Sequence, residues 1–165
     1  MMTVRFVAPK VGNDDVFSKF GPSGIPVTVR NFLRPAIIGL TKRLGAQVDA
    51  NLNVGLKSRR RLRVRTEMIE NPRELIGRVS VVATESPLML PVWLESGTKA
   101  HAIEARNAKA LYFFWEKMGK NVAFKRVMHP GFAGIHYMHN AFEAMSGEIK
   151  STIRKAVSDG LGTRK

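Results

Sequence analysis

Hydrophobic residues recur at helical spacing in the first third of the chain, over residues 36–52. This period predicts an amphipathic helix that ends before Gly55. Pro35 is expected to interrupt or kink any helical segment that leads into it. The apolar positions of the stripe are Ile37, Leu40, Leu44, Val48 and Leu52.

A second helical stripe follows a break at His129, Pro130 and Gly131. Its apolar positions are three or four residues apart, which predicts a C-terminal helix with polar residues on the opposite side. Gly160 and Gly162 are expected to end this helix. The stripe consists of Met138, Phe142, Met145, Ile149, Ile153 and Ala156.

Strand-like patterns lie between the two helices. Residues 58–68 alternate, and residues 75–83 form a returning strand after a turn at Asn71 and Pro72. Gly77 is expected to mark a bulge. On the first strand the alternation separates Arg59, Arg61, Arg63 and Arg65 on one face from Arg60, Leu62, Val64 and Thr66 on the other.

Shorter runs continue the sheet. Residues 89–94 are predicted as a strand, residues 97–99 as a turn, and residues 110–115 with 122–128 as a hairpin. A tight turn over residues 119–121 joins the two hairpin strands. The residues expected at the tip of this hairpin are Glu116, Lys117 and Lys120.

These elements predict an α+β fold: an antiparallel β-sheet, a long helix in the N-terminal half and a C-terminal helix packed on it. Residues 1–24 are expected to form an extended N-terminal arm, with a short strand at residues 3–7. Residues 25–165 are expected to form a single α+β domain, because the sequence contains no repeat, low-complexity tract or linker.

Charge changes this picture more than length does. The chain has 165 residues, 27 Lys plus Arg against 13 Asp plus Glu, and a formal net charge of +14. Such a surface attracts polyanions or acidic proteins. The chain has no cysteine, which excludes disulfides and thiolate metal sites. No segment approaches the ~20 apolar residues of a membrane span, and a secretory signal is not expected.

The arginine face of the first strand is the sharpest charge feature. Four arginines cannot be buried without partners, so they face solvent, a polyanion or acidic neighbours. A solvated face with scattered ion pairs remains the alternative to a surface that binds DNA or a partner. The aromatic run from Tyr112 to Trp115 is expected to alternate, with half of its rings in the core and half covered by another subunit.

Two sets of residues could carry chemistry. His136 and His139 have a spacing that could place both on one metal, but no carboxylate lies nearer in the sequence than Glu143, so a structural or interface role fits the four histidines better. A small nuclease could be built from His101, His129, Lys125 and Glu95, yet nothing in the sequence brings them together. No cofactor or metal is expected.

One stretch resembles the neck and tail-completion proteins of tailed bacteriophages, over about a third of the chain. The resemblance begins at Trp93-Leu94-Glu95-Ser96-Gly97-Thr98 and continues through His101-x-Ile103. It then runs through Asn107-Ala108-Lys109-Ala110-Leu111-x-Phe113, the segment 119–127, and His129-Pro130-Gly131. Tyr137-Met138-His139-Asn140-Ala141 follows as the start of the last helix.

The resemblance implies a non-enzymatic virion protein of the phage neck or tail, made in the host cytoplasm. Such a protein would form a six-fold ring between the portal or connector of the head and the tail tube or terminator, with packaged DNA passing nearby. Tail completion protein, tail terminator, head–tail stopper and minor structural protein remain open as subfamilies. The residues expected at interfaces are Arg59, Arg61, Arg63, Arg65, Glu95, Gly97, His101, Lys117, Lys120 and His129.

Two alternatives to a phage neck protein remain. One is a stand-alone basic nucleic-acid-binding protein, and the other is a small basic nuclease.

Overall fold

The structure is a computed structural model that describes residues 2–5, 24–53, 61–71, 74–85 and 87–162. The chain divides into two compact units. Unit 1 comprises Met1–Glu95 and His136–Lys165, and unit 2 comprises Ser96–Ile135. Helices and antiparallel strands together confirm the predicted α+β class.

Unit 1 contains a three-stranded antiparallel sheet made of β1 (Met2–Arg5), β2 (Leu62–Asn71) and β3 (Glu74–Ala83), in the order β1-β3-β2. The β2–β3 pair keeps a continuous register from Leu62 opposite Ala83 to Asn71 opposite Glu74, so Gly77 is not at a bulge. The Asn71 side chain accepts a hydrogen bond from the Glu74 backbone N–H at 2.9 Å and joins the end of β2 to the start of β3.

The long helix α1 (Val27–Asn53) covers this sheet. It starts well before residue 36 and continues through Pro35, so the expected interruption is not observed. The buried stripe explains why: Val29 and Leu33 extend it by two turns on the N-terminal side of Pro35, and this packing offsets the hydrogen bond that proline removes.

The C-terminal helix α3 (Tyr137–Gly162) packs mainly on α1. Its predicted apolar stripe is buried except for Phe142, which is partly buried. Gly160 lies inside the helix and does not end it. A Cβ at this position would stand 2.6 Å from the Val29 Cα of α1, so the packing of the two helices accounts for the glycine. The two helices approach each other closely at this point.

Residues 90–94 are helical and Met89 lies in the turn before them, so the strand predicted over residues 89–94 is wrong. Leu90–Ser96 forms the short helix α2, which buries Pro91, Leu94 and Glu95 together instead of alternating them. Residues 97–99 do not form the predicted simple turn either. Gly97–Thr98 is strand β4 and pairs with strand β9 (Phe132–Ala133).

Unit 2 is built from three two-stranded antiparallel ladders. The predicted hairpin is present as β6 (Leu111–Trp115) and β7 (Lys120–Phe124). The strand predicted over residues 122–128 is divided, because β8 (Arg126–His129) pairs with β5 (His101–Glu104) and not with β6. The tip of the hairpin is a 3₁₀ turn, Glu116–Met118, followed by left-handed Gly119, so Lys120 and Asn121 belong to β7 and not to the turn.

The first 24 residues can be compared only in part with the predicted arm. Met2–Arg5 forms the strand expected near the N-terminus, pairing with β3. Phe6, Val7 and the rest of the predicted arm up to Ser23 lie outside the described residues.

Replacing Gly160 with alanine tests the close approach of α1 and α3. We expect Gly160→Ala to lower the free energy of unfolding by about 1–3 kcal/mol, because the new methyl group meets the backbone of Val29. Gly147→Ala in the same helix is the matched control. No atom lies within 4 Å of its added Cβ, so it should stabilise by about 0.5–1 kcal/mol. Urea unfolding of both variants measures the two effects, and equal effects would contradict the packing.

Candidate functional site

Unit 2 stands out because it has no core of its own. All of its residues, Ser96–Ile135, are described, and none of them is buried. Isolated two-stranded ladders are marginally stable in water. A unit made of three such ladders with no buried residue lacks the core of an independent domain. Its exposed surface is therefore a candidate binding site.

The hairpin of β6 and β7, called the aromatic hairpin below, has one face on which aromatic rings cluster. Phe113, Trp115 and Phe124 share this face because Leu111 pairs with Phe124 and Phe113 with Val122. The Trp115 and Phe124 ring centroids lie 5.8 Å apart in an edge-on arrangement, and those of Phe113 and Phe124 lie 6.2 Å apart. Even so, the three side chains remain 37–38% exposed.

The opposite face of the aromatic hairpin carries Tyr112 and Phe114, next to Asn121 and Ala123 on β7. Tyr112 is 77% exposed and Phe114 is 59% exposed. The expectation that half of the aromatic run lies in the core is wrong, since neither half is buried. Both faces of this two-stranded ribbon present large apolar groups to solvent.

Lysines lie at the ends of the aromatic hairpin and not in its middle. Lys117 lies in the 3₁₀ tip, and Lys120 begins β7 opposite Trp115. Both are exposed, as the sequence predicts for the tip. Lys109 and Lys125 flank the other end and are exposed too.

His101 and His129 form a cross-strand pair in the β5–β8 ladder, with ring centroids 5.1 Å apart. His101 Nδ1 lies 2.9 Å from the Lys99 carbonyl, which can only accept, so this nitrogen carries a proton. His129 Nδ1 accepts a hydrogen bond from the Gly131 N–H at 3.1 Å. Both Nδ1 atoms are thus engaged, that of His101 as a donor and that of His129 as an acceptor.

The close pair is the one part of the nuclease constellation that the structure assembles. Lys125 is exposed between β7 and β8. Glu95 belongs to unit 1, where its side chain is 4% exposed and already holds two backbone N–H groups. A buried carboxylate engaged in this way is not free to act as a general base.

The role of Glu95 is to fix the start of α3. Its carboxylate accepts hydrogen bonds from the backbone N–H groups of Met138 at 2.9 Å and His139 at 3.1 Å. These are two of the N–H groups that lack partners within the helix. His136 precedes the helix with a positive φ of 51°, and its N–H contacts the Glu95 carbonyl at 3.3 Å.

Tyr137 completes this arrangement in unit 1. It is 1% exposed, and its hydroxyl donates a hydrogen bond to the Pro91 carbonyl at 3.0 Å. Burial, and to a lesser degree the nearby Glu95 carboxylate, raise the pKa of the Tyr137 hydroxyl above its ordinary value. This group of α2 and α3 residues is a structural anchor.

The rings of His136 and His139, whose spacing could place both on one metal, lie near each other at the start of α3. Their ring centroids are 6.4 Å apart and edge-on. Within the described residues, no group of three or more His, Cys, Asp or Glu side chains is arranged to hold a metal ion.

The predicted arginine face is partly visible. Arg63 and Arg65 point away from the buried side of β2 and are exposed, while Leu62 is buried and Val64 is partly buried, as the alternation predicts. Exposed Arg61 precedes the strand and lies 3.7 Å from Glu85. Arg59 and Arg60 lie outside the described residues. Among the strands the structure describes, β2 lies at an edge of its sheet.

Gly97, expected at an interface, has a structural role in unit 2. Its φ is +75°, and a Cβ there would stand 2.6 Å from the Gly134 backbone nitrogen. Gly131 has a φ of +76° and a similar approach to the backbone of Lys99. Only glycine fits these positions without strain.

Comparison with known proteins adds no relative: the chain matches no family model, and no curated protein or solved structure is significantly similar to it. In the part of the chain that the structure describes, no helix is sufficiently long and apolar to cross a bilayer.

Truncating Glu95 tests its role as the anchor of α3. We expect Glu95→Ala to lower the free energy of unfolding by about 2–4 kcal/mol, because the buried N–H of Met138 and the partly buried N–H of His139 lose charge-assisted hydrogen bonds. Glu143→Ala, which removes an exposed carboxylate of α3 itself, should alter the free energy of unfolding by less than about 0.5 kcal/mol. Chemical denaturation compares the two, and similar values for both variants would contradict the anchoring role.

Alkaline pH tests the burial of Tyr137. A raised pKa in the folded state means that the hydroxyl stays protonated there while the unfolded chain ionises near pH 10. The stabilisation is complete below pH 10 and is lost above it, by about 1.4 kcal/mol between pH 9 and pH 11.

The Tyr137→Phe variant should lose about that much less stability over the same pH interval than the wild type in urea titrations. Tyr112→Phe, which changes an exposed tyrosine, should follow the wild type. A Tyr137→Phe curve parallel to the wild-type curve would show that the hydroxyl ionises freely.

Proposed function

We propose that this chain is a structural virion protein of the neck or tail of a tailed bacteriophage. In this proposal it forms a ring that joins the portal or connector of the head to the tail tube and completes or terminates tail assembly. The observation that carries the proposal is unit 2, an ordered set of β ladders with no buried residue and with apolar side chains on both faces of one hairpin. Such a unit is expected of a subunit whose fold is completed by neighbours.

Unit 1 would serve as the rigid body of the subunit. Its core combines α1, α3 and the inner face of the three-stranded sheet, and Glu95 and Tyr137 hold the start of α3 in place. A rigid body limits the conformational entropy lost on assembly, so more of the interface energy remains available for binding.

The charge of the chain supports a role beside acidic neighbours or packaged DNA. The formal net charge of +14 favours association with negatively charged surfaces and opposes nonspecific self-association. The exposed Arg63 and Arg65, on the edge strand β2, would face such a partner. An acidic connector or tail protein would then meet this edge through charge as well as backbone pairing.

A stand-alone nucleic-acid-binding protein is the second candidate. It is favoured by the arginine face, where Arg63 and Arg65 have no ion-pair partner among the described residues. Binding to phosphates through such contacts would weaken steeply as salt rises. This candidate leaves the apolar faces of the aromatic hairpin unexplained, and for that reason we place it second.

Deleting the gene in the replicon that carries it tests the proposed function. We expect filled heads and separate tails in electron micrographs, with joined particles restored when the wild-type chain is supplied from a plasmid. Antibody labelling should place the chain at the head–tail joint. Joined, infectious particles without the chain would refute the proposal.

Reversing the charge of the arginine face gives a narrower test. Arg61→Glu with Arg63→Glu should block the joining of heads and tails while leaving the circular dichroism spectrum unchanged, because both side chains are exposed. Lys150→Glu with Lys155→Glu makes the same change in charge on the exposed side of α3 and should join normally. Normal infectious particles from the arginine variant would mean that this face meets no partner.

A further inference from the structure

We infer that the aromatic hairpin enters an apolar cleft, rimmed by carboxylates, on a virion protein that is not a copy of this chain. This inference rests on the proposed function and names the kind of partner that one surface takes. It draws on two properties of the hairpin, which are apolar groups on both faces and lysines at both ends. It also draws on the net positive charge of the whole chain.

A cleft suits the aromatic hairpin because both of its faces carry exposed aromatic side chains. Phe113, Trp115 and Phe124 stay more than a third exposed on one face, and Tyr112 and Phe114 are more than half exposed on the other. A flat partner surface would cover one face and leave the other in water. Burying both faces between two walls removes the whole aromatic surface from water, which is the largest gain available at this site.

The distribution of charge indicates what surrounds the cleft. The strand positions between the hairpin's ends, residues 111–115 and 121–124, contain no charged side chain. Glu116 and Lys117 lie in the tip and Lys120 begins β7 beside it, while Lys109 and Lys125 lie at the other end, so lysines outnumber carboxylates at both ends. An apolar centre with a charged rim is the usual anatomy of a protein interface, and lysines on one side call for carboxylates on the other.

A second copy of the chain is a poor partner for the aromatic hairpin. Each copy has a formal net charge of +14. Five of its exposed carboxylates are already in internal ion pairs, which reduces the number of acidic groups that two copies can offer each other. The ion pairs are those of Glu70 with Arg30 and Arg34, Glu148 with Arg43, Glu85 with Arg61, Glu67 with Arg78, and Glu104 with Arg126.

Nucleic acid is also a poor ligand for the aromatic hairpin. Phosphate contacts by lysine and arginine supply most of the affinity of nonspecific nucleic-acid binding. The face of Tyr112 and Phe114 carries no cation, because its β7 positions are Asn121 and Ala123. A nucleic-acid strand stacked there would have no basic side chain on that face to neutralise its phosphates.

Photo-crosslinking from the hairpin tests the inference in the assembling system. p-Benzoyl-phenylalanine replaces Phe114, and the same group at exposed Lys155 on α3 is the control site. We expect an adduct with a different virion protein at position 114 only, mapped by mass spectrometry to a peptide that combines apolar residues with Asp or Glu. An adduct of twice the chain mass, a nuclease-sensitive adduct, or no adduct above that of the control site would overturn the inference.

Substitution separates this inference from the proposed function. Tyr112→Ser with Phe114→Ser should fold normally, because both side chains are exposed, and should weaken joining by about 30-fold for each aromatic side chain that acts as a hot spot. Val27→Ser with Leu161→Ser, which also removes two exposed apolar side chains, should join normally. If the gene deletion abolishes joining but the hairpin variant joins like wild type, the proposed function stands and the cleft inference fails.

Discussion

A polypeptide segment keeps one conformation in water only if it removes enough apolar surface from solvent to offset the conformational entropy it loses. Unit 1 meets this condition with a continuous core shared by two long helices and a three-stranded sheet. Unit 2 buries none of its residues, although its ladders have regular registers and its turns have glycines at positive φ. Unit 2 therefore combines regular local structure with no buried residue, and the proposed role in binding a partner follows from this combination.

Charge and apolar surface point to different kinds of contact in the same chain. Arginine side chains mark the edge strand β2 in unit 1, whereas aromatic rings mark the β6–β7 hairpin in unit 2. Charge is suited to steering and orientation, and desolvated aromatic groups are suited to holding a complex together. A subunit that must meet several neighbours in order would benefit from separating these tasks.

Elements with a long, uniform period could be predicted from the sequence, and elements decided by distant contacts could not. The stripes of α1 and α3 and the β2–β3 pair follow from spacing alone. Residues 89–94 read as a strand because their apolar run is short, and only the buried Pro91, Leu94 and Glu95 reveal helix α2. The anchoring role of Glu95 depends on N–H groups 43 and 44 residues away, which no local pattern reports. For the aromatic hairpin, the strand pairing was predictable, but the 3₁₀ turn at its tip and the exposure of both faces were not.

Amide hydrogen exchange of the aromatic hairpin, compared between the free chain and purified particles, would show whether a partner completes this part of the fold. We expect Leu111–Trp115 and Lys120–Phe124 to exchange rapidly in the free chain, because no core protects them, and to become strongly protected in particles. The core of α1 should be protected in both states. Equal exchange of the hairpin in the two states would contradict the claim that a partner completes this part of the fold.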